Sequence, residues 1–272
     1  MAPTVHRYAA FSDDPSGGNP AGVVLDAGGM SDEEMLAVAA DVGYSETAFV
    51  APGEGGSDYR VRYFSPRAEV LFCGHSTIAA TVALGRSGDI VFHTQVGDVP
   101  VASGGGSATL TSVEPAVAEL DAADLEELLG ALGWSHEDLD PSLPPRVAYA
   151  GVYHPVIAVA TRERLRDLDY DFDRLGRLML AREWTTIQLV WRERPDLFHA
   201  RDPFPIAGVP EDPATGAAAA ALGGYLRELG LVEPPARVVV IQGEDMGRPG
   251  RLVVDIPPGD GGIAVTGTAV RL

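Results

Sequence analysis

The chain has 272 residues, generous for one core and comfortable for two, since single domains most often hold roughly 100–150 residues. It is 46% apolar and 22% charged with a mean hydropathy of +0.06, so it fills a packed core and is neither disordered nor fibrous. A formal charge of −19 repels polyphosphate backbones and anionic lipid surfaces, which argues against nucleic acid or a membrane as partner.

The longest apolar runs, such as Ala217–Leu222 and Val238–Ile241, fall far short of the ~20 residues that cross a bilayer. The start, Met1-Ala2-Pro3-Thr4-Val5-His6-Arg7, lacks the basic and then apolar pattern of a secretion leader, so a cytoplasmic location is expected. One cysteine, Cys73, excludes an internal disulfide, a zinc–cysteine cluster and any mechanism needing two thiols.

Along the chain, Val5–Phe11 and Ala21–Leu25 flank a Pro15-to-Pro20 turn and predict a hairpin. Ser31 followed by Asp32, Glu33 and Glu34 predicts a capped helix to Val42, with Met35, Ala39 and Val42 on one face and Gly43 as the stop. Residues 46–50 and 59–64 alternate as half-buried strands do. A helix from Gly74 to Leu84 is apolar nearly all round and is expected to be central and wrapped by sheet. Strands follow at 89–94, 99–102 and 108–113, with a turn at Gly97-Asp98. From Glu114 the composition shifts to Pro, Asp and Glu around a helix at 121–132, which places a domain junction near residue 115. The second part repeats the order of the first: strands at 146–150 and 156–160, a helix at 172–180, strands at 186–191 and 197–201, an apolar helix at 217–229, and strands at 237–242, 251–256 and 263–270. The expectation is two similar lobes, residues 1–115 and 116–272, with central helices starting near 74 and 216 and the last strand a candidate to pack back on the first lobe.

Both apolar helices follow polar loops, Glu69-to-Ser76 and Pro210-to-Gly216. Helix starts offer N–H groups and a positive dipole end to an anion, while the plainer reading makes Ser76 and Thr215 simple caps. Glu46 stands between Ser45 and Thr47 at the start of a strand; it is either a solvated strand end or a half-buried acid with a raised pKa suited to proton transfer. His75 at a helix start is disfavoured as an imidazolium by the dipole. The six histidines show no metal-ligand spacing, and no dinucleotide, Walker or nucleophile-elbow motif is present, so neither a metal nor a nucleotide cofactor is expected.

Several segments, Gly18-to-Val24, Ser45-to-Val50, Tyr63-to-Pro66, Glu69-to-Thr77, Glu211-to-Gly216 and Gln242-to-Pro249, together resemble the PhzF-like isomerases of phenazine biosynthesis over nearly the whole chain. The resemblance implies a diaminopimelate-epimerase-like α+β fold: two pseudo-symmetric lobes, each a curved, mostly antiparallel sheet around a central helix, with the active site between them. It implies a cofactor-independent homodimer of secondary metabolism in which Glu46 moves a proton between carbons of a small carboxylate, such as trans-2,3-dihydro-3-hydroxyanthranilate. His75 and Asp212 complete the implied catalytic set. Asn19, Gly74, Ser76, Thr215, Gly216 and Ala217 are the implied substrate contacts. Ala217 and Ala219 stand where the family often has a serine and a histidine. Two-base cysteine racemisation is excluded, because the second half has no thiol. A non-catalytic carboxylate-binding protein, or a lyase or cyclase on the same scaffold, are the rival readings.

Overall fold

The computed structural model describes residues 3–53 and 55–272. In chain order the elements begin with β1 (His6–Ala10), β2 (Asn19–Val24), α1 (Asp32–Val42), β3 (Thr47–Pro52), β4 (Asp58–Phe64), β5 (Glu69–Val70) and α2 (Gly74–Leu84). They continue with β6 (Gly88–Thr94), β7 (Gly97–Ser103), β8 (Ser107–Thr111), β9 (Ala116–Glu119), α3 (Ala122–Leu132), β10 (Arg146–Tyr149), β11 (Tyr153–Ala158), α4 (Arg162–Arg166) and α5 (Phe172–Arg182). The remainder are β12 (Gln188–Arg194), β13 (Leu197–Pro203), β14 (Glu211–Asp212), α6 (Gly216–Glu228), β15 (Ala236–Gln242), β16 (Gly250–Ile256) and β17 (Ala264–Arg271). The chain forms two compact units, Met1–Thr111 with Thr266–Leu272, and Ser112–Val265. No described helix is long and apolar enough to cross a membrane.

The first unit is a closed mixed sheet. Antiparallel β1/β2 continues through parallel β2/β3, antiparallel β3/β4 and parallel β4/β6 into the antiparallel run β6/β7/β8. β17 pairs with both β8 and β1 and closes the ring. Helix α2 packs against β1, β2, β3, β7 and β8, and every residue from His75 to Thr81 is buried, as expected of an apolar helix inside a ring of strands. On the outside, α1 is held by a capping box between Ser31 and Glu34 and stops at left-handed Gly43. It buries Met35, Ala39 and Val42, the first two within a cluster that includes Phe49 and Phe64.

Between β1 and β2 the chain turns through Gly18, whose φ of 61° is left-handed. A Cβ added there would stand 2.2 Å from the carbonyl oxygen of Ala10. Gly18→Ala is therefore expected to destabilise the fold by about 2–3 kcal/mol through backbone strain and overpacking, read as a lower urea midpoint at unchanged slope.

In the second unit the sheet runs β9-β10-β11-β12-β13-β15-β16, parallel at β11/β12 and β13/β15 and antiparallel elsewhere, with β14 beside β13. α6 packs against β9, β10, β11 and β16. A second cluster brings Leu128, Leu132, Leu165, Leu175 and Met179 of the other helices onto Ile157, Ile187 and Leu189. Side chains alternate across a sheet, so His154, Thr186 and Gln188 belong to the face opposite that cluster. All three are buried.

The hairpin after β6 turns at Gln95 and Val96 rather than at Gly97-Asp98, because Gly97 already pairs with Thr94. Strand β9 falls in the Pro-, Asp- and Glu-rich stretch, where its pairing with β10 defines it and its own polarity pattern does not.

Candidate functional site

Glu46 immediately precedes β3, and its carbonyl accepts a hydrogen bond from Gly22 of β2 at 3.3 Å, which fixes the strand start that carries it. Its side chain is 18% exposed, and Oε2 lies 3.5 Å from Nε2 of His75, itself 6% exposed. His75 sits in the first turn of α2. That turn is anchored from two sides: the Thr77 hydroxyl donates to the Cys73 carbonyl at 2.7 Å and pairs with the Tyr63 hydroxyl of β4 at 2.6 Å. Around the imidazole, Ser45 Oγ lies 3.4 Å from Nε2 and Cys73 Sγ lies 3.3 Å from Nδ1. Burial pushes the Glu46 pKa above the ordinary glutamate value; hydrogen bonds from Ser45 and Cys73 pull it back only in part. A carboxyl group with a raised pKa is matched to taking and returning a proton near neutral pH. A neutral imidazole with its proton on Nε2 would donate to an ionised Glu46.

The cap reading of Ser76 and Thr215 is corrected by the structure. Ser76 lies inside α2, whose N-cap is Cys73 with no side-chain cap bond, and its hydroxyl is buried without a hydrogen-bond partner among the described residues. Thr215 occupies the N-cap of α6, yet its hydroxyl donates to Asp212 Oδ2 at 2.6 Å instead of capping the turn. Neither helix has an acidic residue in its first turn, whereas α1 has three. The starts of α2 and α6 thus keep the positive end that α1 neutralises, the arrangement that favours an anion. Gly74 opens α2; Gly216 and Ala217 open α6. Asn19 opens β2, buried and paired with Ala10.

Asp212 ends β14, which sits beside β13. Gln242 of β15 ties its loop down: Nε2 donates to the Asp212 carbonyl at 2.8 Å and to Thr215 Oγ1 at 3.0 Å, and Oε1 accepts from the Thr215 amide at 3.0 Å. The site residues of the sequence thus gather in two groups: Glu46 with His75 in the first unit, and Asp212 with Thr215 in the second. Sequence reasoning passed over Cys73 and Ser45 as partners of the imidazole, and Gln242 as the brace of Thr215. Each lies inside a motif segment, so the signal was present without its role.

Glu46, Cys73 and His75 also bring one oxygen, one sulfur and one nitrogen within 4.8 Å of one another, donors of the kind that a borderline cation such as Zn²⁺ takes. Histidine spacing could not reveal this set, because the fold assembles it from the start of β3 and the start of α2.

A sequence profile described as "Phenazine biosynthesis-like protein" matches residues 8–272. A protein named uncharacterized isomerase from Deinococcus radiodurans is 35% identical, with the match covering 92% of this chain and 85% of that one. The trans-2,3-dihydro-3-hydroxyanthranilate isomerase of Pseudomonas fluorescens is 30% identical, covering 90% of this chain and 88% of its own. Among solved structures, a PhzF-family phenazine biosynthesis protein from Bacillus anthracis superposes with a TM-score of 0.88 at 28% identity, covering 98% of this chain and 96% of that one. A full-length profile match, relatives named as isomerases and a mixed, closed-sheet α/β fold shared with a PhzF-family structure agree: the chain belongs to the PhzF-like isomerase family.

Proposed function

We propose that this protein isomerises a small cyclic or unsaturated carboxylic acid by proton shift, with Glu46 taking a proton from carbon and returning it to another carbon of the same face. The observation that carries the reading is the half-buried Glu46 carboxyl with its raised pKa, 3.5 Å from His75 at an uncapped helix start. In the first unit His75 holds a polar group of the substrate and the opening of α2 its carboxylate, with Asn19 and Ser76 lining the site; in the second, Asp212 and the opening of α6 are the proposed contacts.

The register of the two sheets supports a single base. Both units run antiparallel, parallel, antiparallel, parallel, antiparallel through β1-β2-β3-β4-β6-β7 and β10-β11-β12-β13-β15-β16, and we read them as pseudo-symmetric halves. Phe64 pairs with Glu69 as Pro203 pairs with Glu211, and Thr47 pairs with Phe64 where Ile187 donates to the Pro203 carbonyl. The counterpart of Glu46 is then Thr186. A threonine hydroxyl cannot serve as a base near neutral pH, and this one is already bonded to His154 and Asp202. One proton carrier suits a shift along one face better than inversion at a stereocentre.

The activity named for one relative makes trans-2,3-dihydro-3-hydroxyanthranilate the first substrate to assay. Product formation from it, or from another cyclic carboxylate of a panel, supports the reading. Ligand binding without product from any binder would make the chain a carboxylate-binding protein. A carboxylate at ~100 times its dissociation constant stabilises the native state by about 2.7 kcal/mol, which a thermal shift resolves.

Two further outcomes are expected. Cys73→Ser exchanges the S–H for an O–H beside His75 and Glu46 and retains most activity; loss by several orders of magnitude with the fold intact would assign the thiol a chemical role. Exhaustive chelation leaves turnover unchanged, because Glu46 carries the proton without a metal. Loss on chelation with recovery on adding Zn²⁺ would show instead that Glu46, Cys73 and His75 work as metal ligands.

A further inference from the structure

Behind Asp212 lies a second carboxyl group that the proton shift does not use. Asp202 of β13 stands directly across from Asp212 of β14 and is wholly buried. Its Oδ2 accepts from the Thr186 hydroxyl at 3.0 Å, which in turn lies 2.9 Å from His154 Nδ1. Its Oδ1 is buried with no hydrogen-bond partner among the described residues. The charged and titratable groups around it are Asp212 and Glu211 on β14, Arg201 beside it on β13, and His154 on β11. Arg201 is directed to Glu211 and to the carbonyls of Leu165 and Arg166, and burial lowers the His154 pKa to about 4, leaving it neutral. Two buried carboxyl groups on facing strands are strongly disfavoured as two anions.

The first unit shows what this register position does when the residue bears an unambiguous O–H. Tyr63 and Phe64 pair with Val70 and Glu69 as Asp202 and Pro203 pair with Asp212 and Glu211, and Arg62 clasps Glu69 as Arg201 clasps Glu211. Asp202 therefore corresponds to Tyr63, whose buried hydroxyl braces Thr77 in the first turn of α2.

We propose that Asp202 is a positioning residue that stays a neutral acid, sharing its proton with Asp212 and thereby fixing Asp212 and Thr215 at the start of α6, as Tyr63 fixes the first turn of α2. Burial and the charge of Asp212 hold the Asp202 pKa well above the usual carboxylate range, against the hydrogen bond from Thr186. A carboxylic acid kept neutral in this way is a hydrogen-bond donor at neutral pH. The consequence for activity rests on Asp212 and Thr215 contacting substrate; the state of Asp202 does not.

Infrared spectroscopy of the whole protein at pH 7 tests the state without any ligand. A protonated carboxylic-acid C=O band is expected that Asp202→Asn removes and Glu46→Gln leaves in place. Amide hydrogen exchange tests the positioning. Asp202→Val is expected to speed exchange in residues 216–219 by roughly tenfold or more, and Asp202→Asn, which keeps a donor, to stay within about threefold of the parent. The absence of an Asp202-dependent acid band overturns the proposal, and so does equal exchange in the Val and Asn variants. Asp202→Asn is nearly isosteric, so the infrared result stands even if Asp202→Val fails to fold. Both measurements are independent of Glu46, so failure of the proton-shift reading leaves them interpretable.

Discussion

Glu46→Gln is expected to bind substrate and to lose turnover by at least ~10²–10⁴-fold, the usual range for removing a general base, with the upper end expected where no second proton carrier exists. The amide keeps the shape and much of the hydrogen bonding of the carboxylate toward Ser45, Cys73 and His75 while removing its basicity. In the parent enzyme the base must be ionised to act, so kcat/KM falls as pH drops through the Glu46 pKa. Because burial raises that pKa, the acid limb lies above the range of an ordinary glutamate. The stability linkage has the same origin and a definite sign. A carboxyl whose folded pKa is raised binds its proton more tightly in the native state, so its contribution is favourable at low pH and is lost as pH rises from the unfolded value through the folded one. Glu46→Gln should therefore be more stable than the parent above that window and no more stable below it. An inactive variant that is also less stable at alkaline pH would point to misfolding rather than to loss of a base.

Glu211→Gln is expected to destabilise the fold by about 3–5 kcal/mol, because it leaves the Arg201 guanidinium buried without its counter-charge. Arg201 and Glu211 are only 10% and 9% exposed, joined by two parallel hydrogen bonds, one of 2.8 Å from Nε and one from Nη2 to Oε1. The same guanidinium donates to the Arg166 carbonyl at 2.7 Å and so ties down the end of α4. Its counterpart in the first unit has the same fork, Arg62 to Glu69 at 2.6 Å. That pair is 33% and 23% exposed and shares the arginine with Asp32. Water compensates a broken pair there, and Glu69→Gln is expected to cost no more than about 1 kcal/mol. Urea unfolding of both variants reads the contrast directly. Equal losses would show that burial is not what sets the cost.

Elements whose signals are local were legible in the sequence. Ser31 with Glu34 and Gly43 mark the ends of α1, and its buried face is the predicted Met35, Ala39 and Val42. α2 begins and ends at Gly74 and Leu84 as its apolar, small-residue composition dictates. Contacts made by register were not legible. Strands β5 and β14 are two residues each, too short for any periodicity, yet they place Glu69 and Glu211 against their arginines. Asp202 sits in a strand whose neighbours Arg201 and Pro203 give no hint of burial, and only its pairing with Asp212 gives it meaning. The same holds within the site. Glu46 and His75 stood out as candidates by their motifs, while their 3.5 Å approach depends on how β3 starts against α2. Thr215, read as a cap, donates its hydroxyl to Asp212 instead, while Gln242 holds its amide.

The most direct test of the central claim is to run trans-2,3-dihydro-3-hydroxyanthranilate, or whichever carboxylate of the panel is turned over, with the parent and with Glu46→Gln in D₂O, following product and label by NMR. The parent is expected to form product with deuterium confined to the carbons between which the proton moves, and Glu46→Gln to bind the same compound while forming and labelling almost none. Glu46→Gln turning over near the parental rate would contradict both the assignment of the base and the isomerisation built on it.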